Sequence, residues 1–448
     1  MPGAQPGLDA GRRHLVRFAL VCLWTALGAG LLGAILHTPL YPLMHIWGLK
    51  FQALRPLHLA AGTGWIYLGG LAVVVHHWSA SSSGAGAART LKFFLATWAL
   101  GALIVASALA LNRFAGREYF FISTPASACF WIGWVALWVA FLRTRPDAGS
   151  PPPVYLWMWV TSFGLFTYAF VETHVFLLPY FQAHPLRDMA LEWKSYGTLV
   201  GSFNLLVYGA LAYLGEQLNP HGAYTRSRAA FALFWIGVLN SFTNYGHHTY
   251  HLPQSSLVKW TSFTVSMTEI AILAKVVADT FGWARRRRRA ASWDAVTWLL
   301  FATTAWTLSS LIVAIAISIP PLNSLIHGTL IVAGHAMGSM LGIDTMALLA
   351  VLGWIHLQDR GGRLPRWPVA VLNLGILLLW VSFLTVGAAD GIRRWESGVL
   401  PTRSLWPAWF GPSFLAGGLL TAVGILALTW SWVLPLGPSR TPPPATQP

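Results

Sequence analysis

The chain has 448 residues, of which 55% are hydrophobic and only 10% charged. Soluble domains carry about a quarter charged residues, so a water-soluble globular protein is excluded. At roughly 20 apolar residues per crossing, the length holds about a dozen transmembrane helices and no sizeable soluble domain. The net charge of +15 could point to nucleic acid, but with a mean hydropathy of +0.57 basic cytoplasmic loops explain it better, and no nucleic-acid partner is expected. Two cysteines, Cys22 and Cys129, stand in apolar runs, and no C-x-x-C-H motif is present to attach a c-type haem.

In chain order, apolar windows predict twelve spans. They lie at approximately 14–37, 56–79, 91–112, 126–143, 154–180, 194–215, 228–248, 256–281, 295–318, 324–352, 367–389 and 410–435. An even number puts both termini on one side. With the N-terminus inside, the cytoplasmic segments hold 18 Lys and Arg and the outer loops 10, so the positive-inside rule selects N-in, C-in. The expected fold is all-α, a polytopic membrane bundle over residues 1–436, followed by a disordered cytoplasmic tail at 437–448 that contains Pro442 to Pro444.

The first span follows Gly11, Arg12 and Arg13. It is too long for a signal-peptide core and lacks a small-residue cleavage site, so it reads as an uncleaved helix. The run from Arg285 to Arg289 reads as a topology anchor in a cytoplasmic loop.

Ionisable groups inside a bilayer are costly, so the fifteen histidines carry most of the information. His37, His45, His76, His77, His184, His221, His251 and His356 fall in loops or at interfaces, where an imidazole needs no ligand. The others form a pattern. The seventh span ends outside in Asn244-Tyr245-Gly246-His247-His248, and the second begins outside at Arg55-Pro56-Leu57-His58. The tenth starts outside and carries His327-Gly328-Thr329, then His335-Ala336-Met337 roughly 17 to 20 Å along the helix. His58, His247, His248, His335 and Met337 can therefore share one layer in the outer half of the bilayer.

Imidazole and thioether are ligands for haem iron and for non-haem metals. His335 and Met337, two residues apart, point about 200° apart around a helix and can serve two different groups. His247 and His248, being adjacent, can reach one metal only where the backbone is loosened.

With these motifs in this order, the chain resembles subunit I of the haem-copper oxidase superfamily over nearly its whole length, and within it the nitric oxide reductase branch. The resemblance implies a twelve-helix bundle in a bacterial-type inner (cytoplasmic) membrane. It implies that His58 ligates a low-spin haem b, that His335 is the proximal ligand of a high-spin haem b, and that His247 and His248 hold the non-haem metal opposite it. The sequence departs from the family where a second low-spin histidine is expected and Met337 stands. A His/Met pair would raise the reduction potential, and the alternative is that Met337 only packs.

The sixth span has no histidine, so Asn204 is the candidate for the third metal ligand. An oxygen donor there favours non-haem iron over copper. Tyr208, four residues on, occupies the face where oxidases place a tyrosine. Glu269 in the eighth span matches the embedded glutamate of nitric oxide reductases, a proton carrier, unless it only pairs with Lys259 or a hydroxyl. Glu172 and His174 form either an outer proton path or an interface ion pair. Glu118, in Arg117-Glu118-Tyr119, resembles a calcium ligand beside the haem propionates. Arg393 and Arg394 resemble the arginines that neutralise those propionates.

The resemblance implies reduction of a small gas, two NO to N2O, with electrons from a separate cytochrome c subunit or from quinol, since the chain has neither a c-type haem motif nor a copper-binding Cys pair. The alternatives are an oxygen-reducing terminal oxidase, favoured by Tyr208, and a non-catalytic haem-binding relative.

Overall fold

The computed structural model describes residues 6–46, 48–80, 85–111, 113, 117, 120, 122–144, 152–219, 223–291, 294–399, 401–402 and 405–434. The tail expected at 437–448 lies outside them. The described regular structure is helical throughout. The first half contains α1 (Pro6–Ile35), the short α2 (Tyr41–Ile46), α3 (Phe51–Ser79), α4 (Ala85–Ala110), α5 (Thr124–Thr144), α6 (Val154–Thr173), the single turn α7 (Pro179–Gln182) and α8 (Pro185–Leu218). The second half contains α9 (Arg228–Thr243), α10 (Ser256–Met267), α11 (Glu269–Ala291), α12 (Ala295–Ser318) and α13 (Pro320–Ile326). It closes with α14 (Leu330–Met337), a π-helical segment (Gly338–Thr345), α15 (Met346–Arg360), α16 (Trp367–Ser397) and α17 (Phe410–Val433).

Eleven helical stretches among the described residues are long and apolar enough to cross a membrane. The remaining predicted span, 228–248, is the 16-residue α9 continued by a 3-10 turn over Asn244–Thr249. The backbone is thus loosened at the histidine pair.

Charge misled several predicted boundaries. α1 starts before Arg12 because that side chain is buried against Asp359 at 2.9 Å, so the arginine lies within the helix. α8 starts nine residues before Lys194, with Pro185 at its first position, where a missing N–H costs nothing. Lys194 is held there by Glu172. The run from Arg285 to Arg289, expected in a loop, belongs to the last turns of α11. The eighth predicted span is broken at Thr268, which makes Glu269 the first residue of α11.

The tenth predicted span is also broken, and its sequence says why. Gly328 has φ +85°, a conformation that favours glycine. Thr329 then caps α14, its hydroxyl accepting the Ile331 N–H at 3.3 Å. His335 consequently sits only five residues beyond the start of α14, nearer a helix end than the uninterrupted span predicted. Close approaches elsewhere need glycine too, and a Cβ on Gly246 would lie 1.8 Å from Ser262 Oγ on α10.

Candidate functional site

His58 lies in the second turn of α3, and its Nδ1 is 2.8 Å from the carbonyl oxygen of Ala26 on α1. A ring nitrogen next to a carbonyl must carry the proton, so Nε2 is the nitrogen left with a lone pair. A Cβ on Gly30 would stand 3.0 Å from that Nδ1, so glycine there leaves the ring its place. Gly33, one turn on and buried, would direct a Cβ at nothing within 4 Å.

His335 and Met337 are both half-buried on α14. Met337 packs against Phe383, Val386 and Phe410 of α16 and α17. The His335 Nδ1 is buried with no hydrogen-bond partner among the described residues. α14 packs chiefly on α16 and α12, and α3 on α1, α8 and α15. His58 and Met337 thus stand on helices whose main packing is with other partners.

The 3-10 turn after α9 brings His247 and His248 together, with ring centroids 4.1 Å apart. His247 Nδ1 is 3.0 Å from Ser266 Oγ on α10. His248 lies flat on Trp193 of α8 at 5.1 Å and 3°, and meets Tyr196 edge-on at 5.3 Å. Both histidines are in electrostatic range of His335. His248 is also in range of His251 and His327, whose rings stack at 4.2 Å. His251, expected to be a plain loop residue, therefore belongs to the same cluster. It lies between spans, where burial, then the charges of Lys259 and Arg394, hold its pKa below the usual imidazole value. Among the described residues no three His, Cys, Asp or Glu side chains converge as a complete metal-binding set.

The contacts that α8 makes with His248 are those of Trp193 and Tyr196. Thr198 Oγ1 donates to the Ser241 carbonyl at 3.4 Å and Gly201 abuts Ser241, which fixes α8 against α9. The residues of α8 level with the histidines are therefore Trp193 and Tyr196, and Asn204 is about 12 Å further along the axis from Tyr196. Tyr208 is in electrostatic range of Glu269 and Asp344 instead. Asp344, in the π-helical segment and 2% exposed, was missed from sequence because Gly342-Ile343-Asp344-Thr345 matches no motif. Its signal was simply an acid inside a hydrophobic run. Glu192, four residues before Tyr196 and so on the same helix face, was also missed.

At the outer rim, Arg394 Nη1 donates to the His327 carbonyl at 2.8 Å. Arg393 is 3.4 Å from Asp390, which also accepts from Trp406 Nε1 at 2.9 Å. Arg117 is buried in an ion pair with Asp188 and lies 3.9 Å from the Phe176 ring centroid. Glu118, the calcium candidate, lies outside the described residues. Glu172 forms an ion pair with Lys194 and accepts from Tyr168 at 2.8 Å; its partner is not His174, whose Nδ1 is 2.6 Å from the Phe170 carbonyl oxygen.

The family Cytochrome C and Quinol oxidase polypeptide I matches residues 13–419. No curated protein sequence shows a significant match. Among solved structures, a heme-copper terminal oxidase dimer determined by cryo-EM superposes with a TM-score of 0.71 at 16% identity, covering 98% of this chain and 86% of its own. The chain belongs to the haem-copper oxidase subunit I family, and is a multi-pass membrane oxidoreductase of the respiratory type. Membership implies haem cofactors and a further metal site.

Proposed function

We propose that the chain reduces nitric oxide: two NO, two electrons and two protons give N2O and H2O. The observation that carries this reading is the environment of His248. α8 meets the histidine pair with Trp193 and Tyr196 and holds no histidine anywhere along its length. Two imidazoles completed by harder oxygen donors suit iron better than copper. Glu192, one turn from Tyr196 on the same face of α8, is the favoured candidate for such a donor over Asn204.

The residues fit the groups that the family implies. In this reading His58 Nε2 and Met337 hold a low-spin haem b, His335 holds a high-spin haem b, and His247 and His248 hold a non-haem iron. When bound, these groups would deliver electrons singly and hold the gas. Electrons would come from a separate cytochrome c subunit, or from quinol, at the inner membrane of a bacterial-type cell. The Ala26 carbonyl holds His58 in one tautomer, Ser266 fixes the His247 ring, and Trp193 fixes the plane of His248. Arg393 and Arg394 supply positive charge at the rim for haem carboxylates. Tyr208, Glu269 and Asp344 form a polar layer inward of the histidines, where buried carboxyl groups can pass protons outward.

A second reading is favoured by one contact, that of Tyr196 with His248. A phenol beside a metal-binding imidazole can supply the extra electron and proton that cleavage of O2 needs. Amperometric measurement of NO and O2 consumption by the reduced, purified protein tests the choice. NO turnover with slow O2 uptake is expected, and rapid O2 uptake without NO turnover overturns the proposal.

A further inference from the structure

At the opposite end of the bundle, α1, α15 and the end of α17 line a half-open cavity of about 280 Å³. Its polar lining is Arg12, Arg13, Arg17, His356, Asp359 and Arg360, four guanidiniums against one carboxylate. Arg12 is neutralised within the protein, 2.9 Å from Asp359 and 3.7 Å from Asp9. Arg360 donates to the Leu434 carbonyl, which leaves its charge uncompensated. Arg13 and Arg17 have no hydrogen-bond or ion-pair partner among the described residues.

The cavity also has an apolar wall, with Trp432 stacked on His356 at 5.6 Å. Arg13 and Arg17 are one turn apart on α1, and the same stripe continues to Val21, which is 53% exposed. A guanidinium pair therefore gives way, along one helix face, to an exposed aliphatic side chain. That order matches a lipid, with an anionic head above and acyl chains below. Basic pockets between transmembrane helices on the cytoplasmic side bind anionic headgroups, and guanidinium forks suit phosphate oxygens.

We infer that this cavity is a phosphate site, occupied by the headgroup of an anionic phospholipid of the inner leaflet and held by Arg13, Arg17 and Arg360. The volume, against the roughly 10–15 Å³ that one water needs by the same measure, admits a phosphodiester with its glycerol. The site is separate from the histidine layer, and its test does not depend on which gas the protein reduces.

The full-length protein, purified with its haems and placed in phosphatidylcholine nanodiscs, is titrated with phosphatidylglycerol, and retained lipid is counted by native mass spectrometry. One phosphatidylglycerol is expected to bind well above the rest. Arg13→Gln/Arg17→Gln should weaken it about tenfold to thirtyfold. Arg89→Gln/Lys92→Gln, which removes equal charge from an exposed face of α4, should leave it unchanged. The haem spectrum checks folding, and Arg13→Lys/Arg17→Lys, which keeps the charge, should retain part of the affinity should the glutamine variant misfold. Equal retention in wild type and the Arg13/Arg17 variant overturns the site, as does an equal loss in the Arg89/Lys92 control. Displacement of the lipid by millimolar inorganic phosphate would assign the cavity to a soluble anion and overturn the lipid source.

Discussion

His248 lies on the indole of Trp193 with the two planes 3° from parallel. Stacking of this kind contributes about 0.5–1.5 kcal/mol beyond area burial, and here it fixes one of two adjacent imidazoles in a loosened turn. Trp193→Leu should leave non-haem metal content within about twofold of wild type. Turnover should fall about tenfold or more, since misplacement by ~1 Å can cost 100-fold in rate. Complete loss of metal in this variant would show instead that the indole is needed for metal binding itself.

The second prediction concerns the pair His58 and Met337. Met337→Ala should convert the low-spin haem to high-spin or lose it, while Met337→His should keep it low-spin at a lower potential, because thioether favours reduced iron. Optical and EPR spectra of the two variants decide the matter. An unchanged low-spin signal in the alanine variant would leave Met337 as packing against Phe383 and Phe410, the alternative already visible in the sequence.

His247→Ala and His248→Ala should each remove the non-haem metal and abolish turnover while both haems stay bound. Ser266→Ala removes only the hydroxyl 3.0 Å from His247 Nδ1. By the usual cost of losing a partner that orients a ligand, it should weaken metal binding roughly 10- to 100-fold. Metal analysis that finds full occupancy in both histidine variants sinks the assignment.

His247, His248 and His335, which the fold brings within electrostatic range of one another, were legible because their signals are chemical and local. His58, His247, His248 and His335 stand out as imidazoles in apolar runs, and strand-free helical architecture follows from composition. What could not be read was register between distant helices. The absence of a histidine from α8 points to Asn204, yet the depth of α8 is set by Gly201 against Ser241 and by Lys194 with Glu172, contacts that no local pattern encodes. The same holds for α1, where a buried arginine looked like a helix boundary until its partner, 347 residues away, was in view. His327-Gly328-Thr329 stands out as a motif, but its role as a helix break and cap emerges only with the backbone angles.

Asp294 gives a pH prediction outside the spans. Burial raises its pKa, but the hydrogen bonds and charge of Arg287 and the N–H of Thr297, 2.9 Å away, outweigh burial and lower it below the usual value. A depressed carboxyl stabilises the fold above its unfolded pKa of about 3.9, and that stability is lost as pH falls through the folded value. Asp294→Asn keeps a capping oxygen but removes the charge that faces Arg287 and the helix N-terminus, and should therefore lower thermal stability at pH 7 by about 0.3–1 kcal/mol. The difference from wild type should shrink as pH drops below about 4. A gap that stays constant between pH 7 and pH 3 would remove the ion pair from the explanation.

The last prediction separates the histidine layer from the polar layer inward of it. Since Asn204 is about 12 Å along α8 from Tyr196, Asn204→Leu should retain the non-haem metal, the opposite of what a third ligand requires. Asp344→Asn and Glu269→Gln should also keep metal and both haems. Both should slow turnover, because each removes a carboxyl that can carry a proton but leaves the histidines untouched. Tyr208→Phe, which deletes a phenol near those two acids, should keep substantial NO reduction and lose only the share that passes through its hydroxyl. Tyr196→Phe then tests the rival chemistry directly. If O2 reduction is the true activity and needs a phenol beside His248, it should vanish in the Tyr196 variant and survive in the Tyr208 variant. Metal analysis paired with turnover in the five proteins distinguishes a lost ligand, which removes metal and rate together, from a lost proton carrier, which lowers the rate alone. Loss of metal in Asn204→Leu would return Asn204 to the metal site and contradict the register of α8 described above.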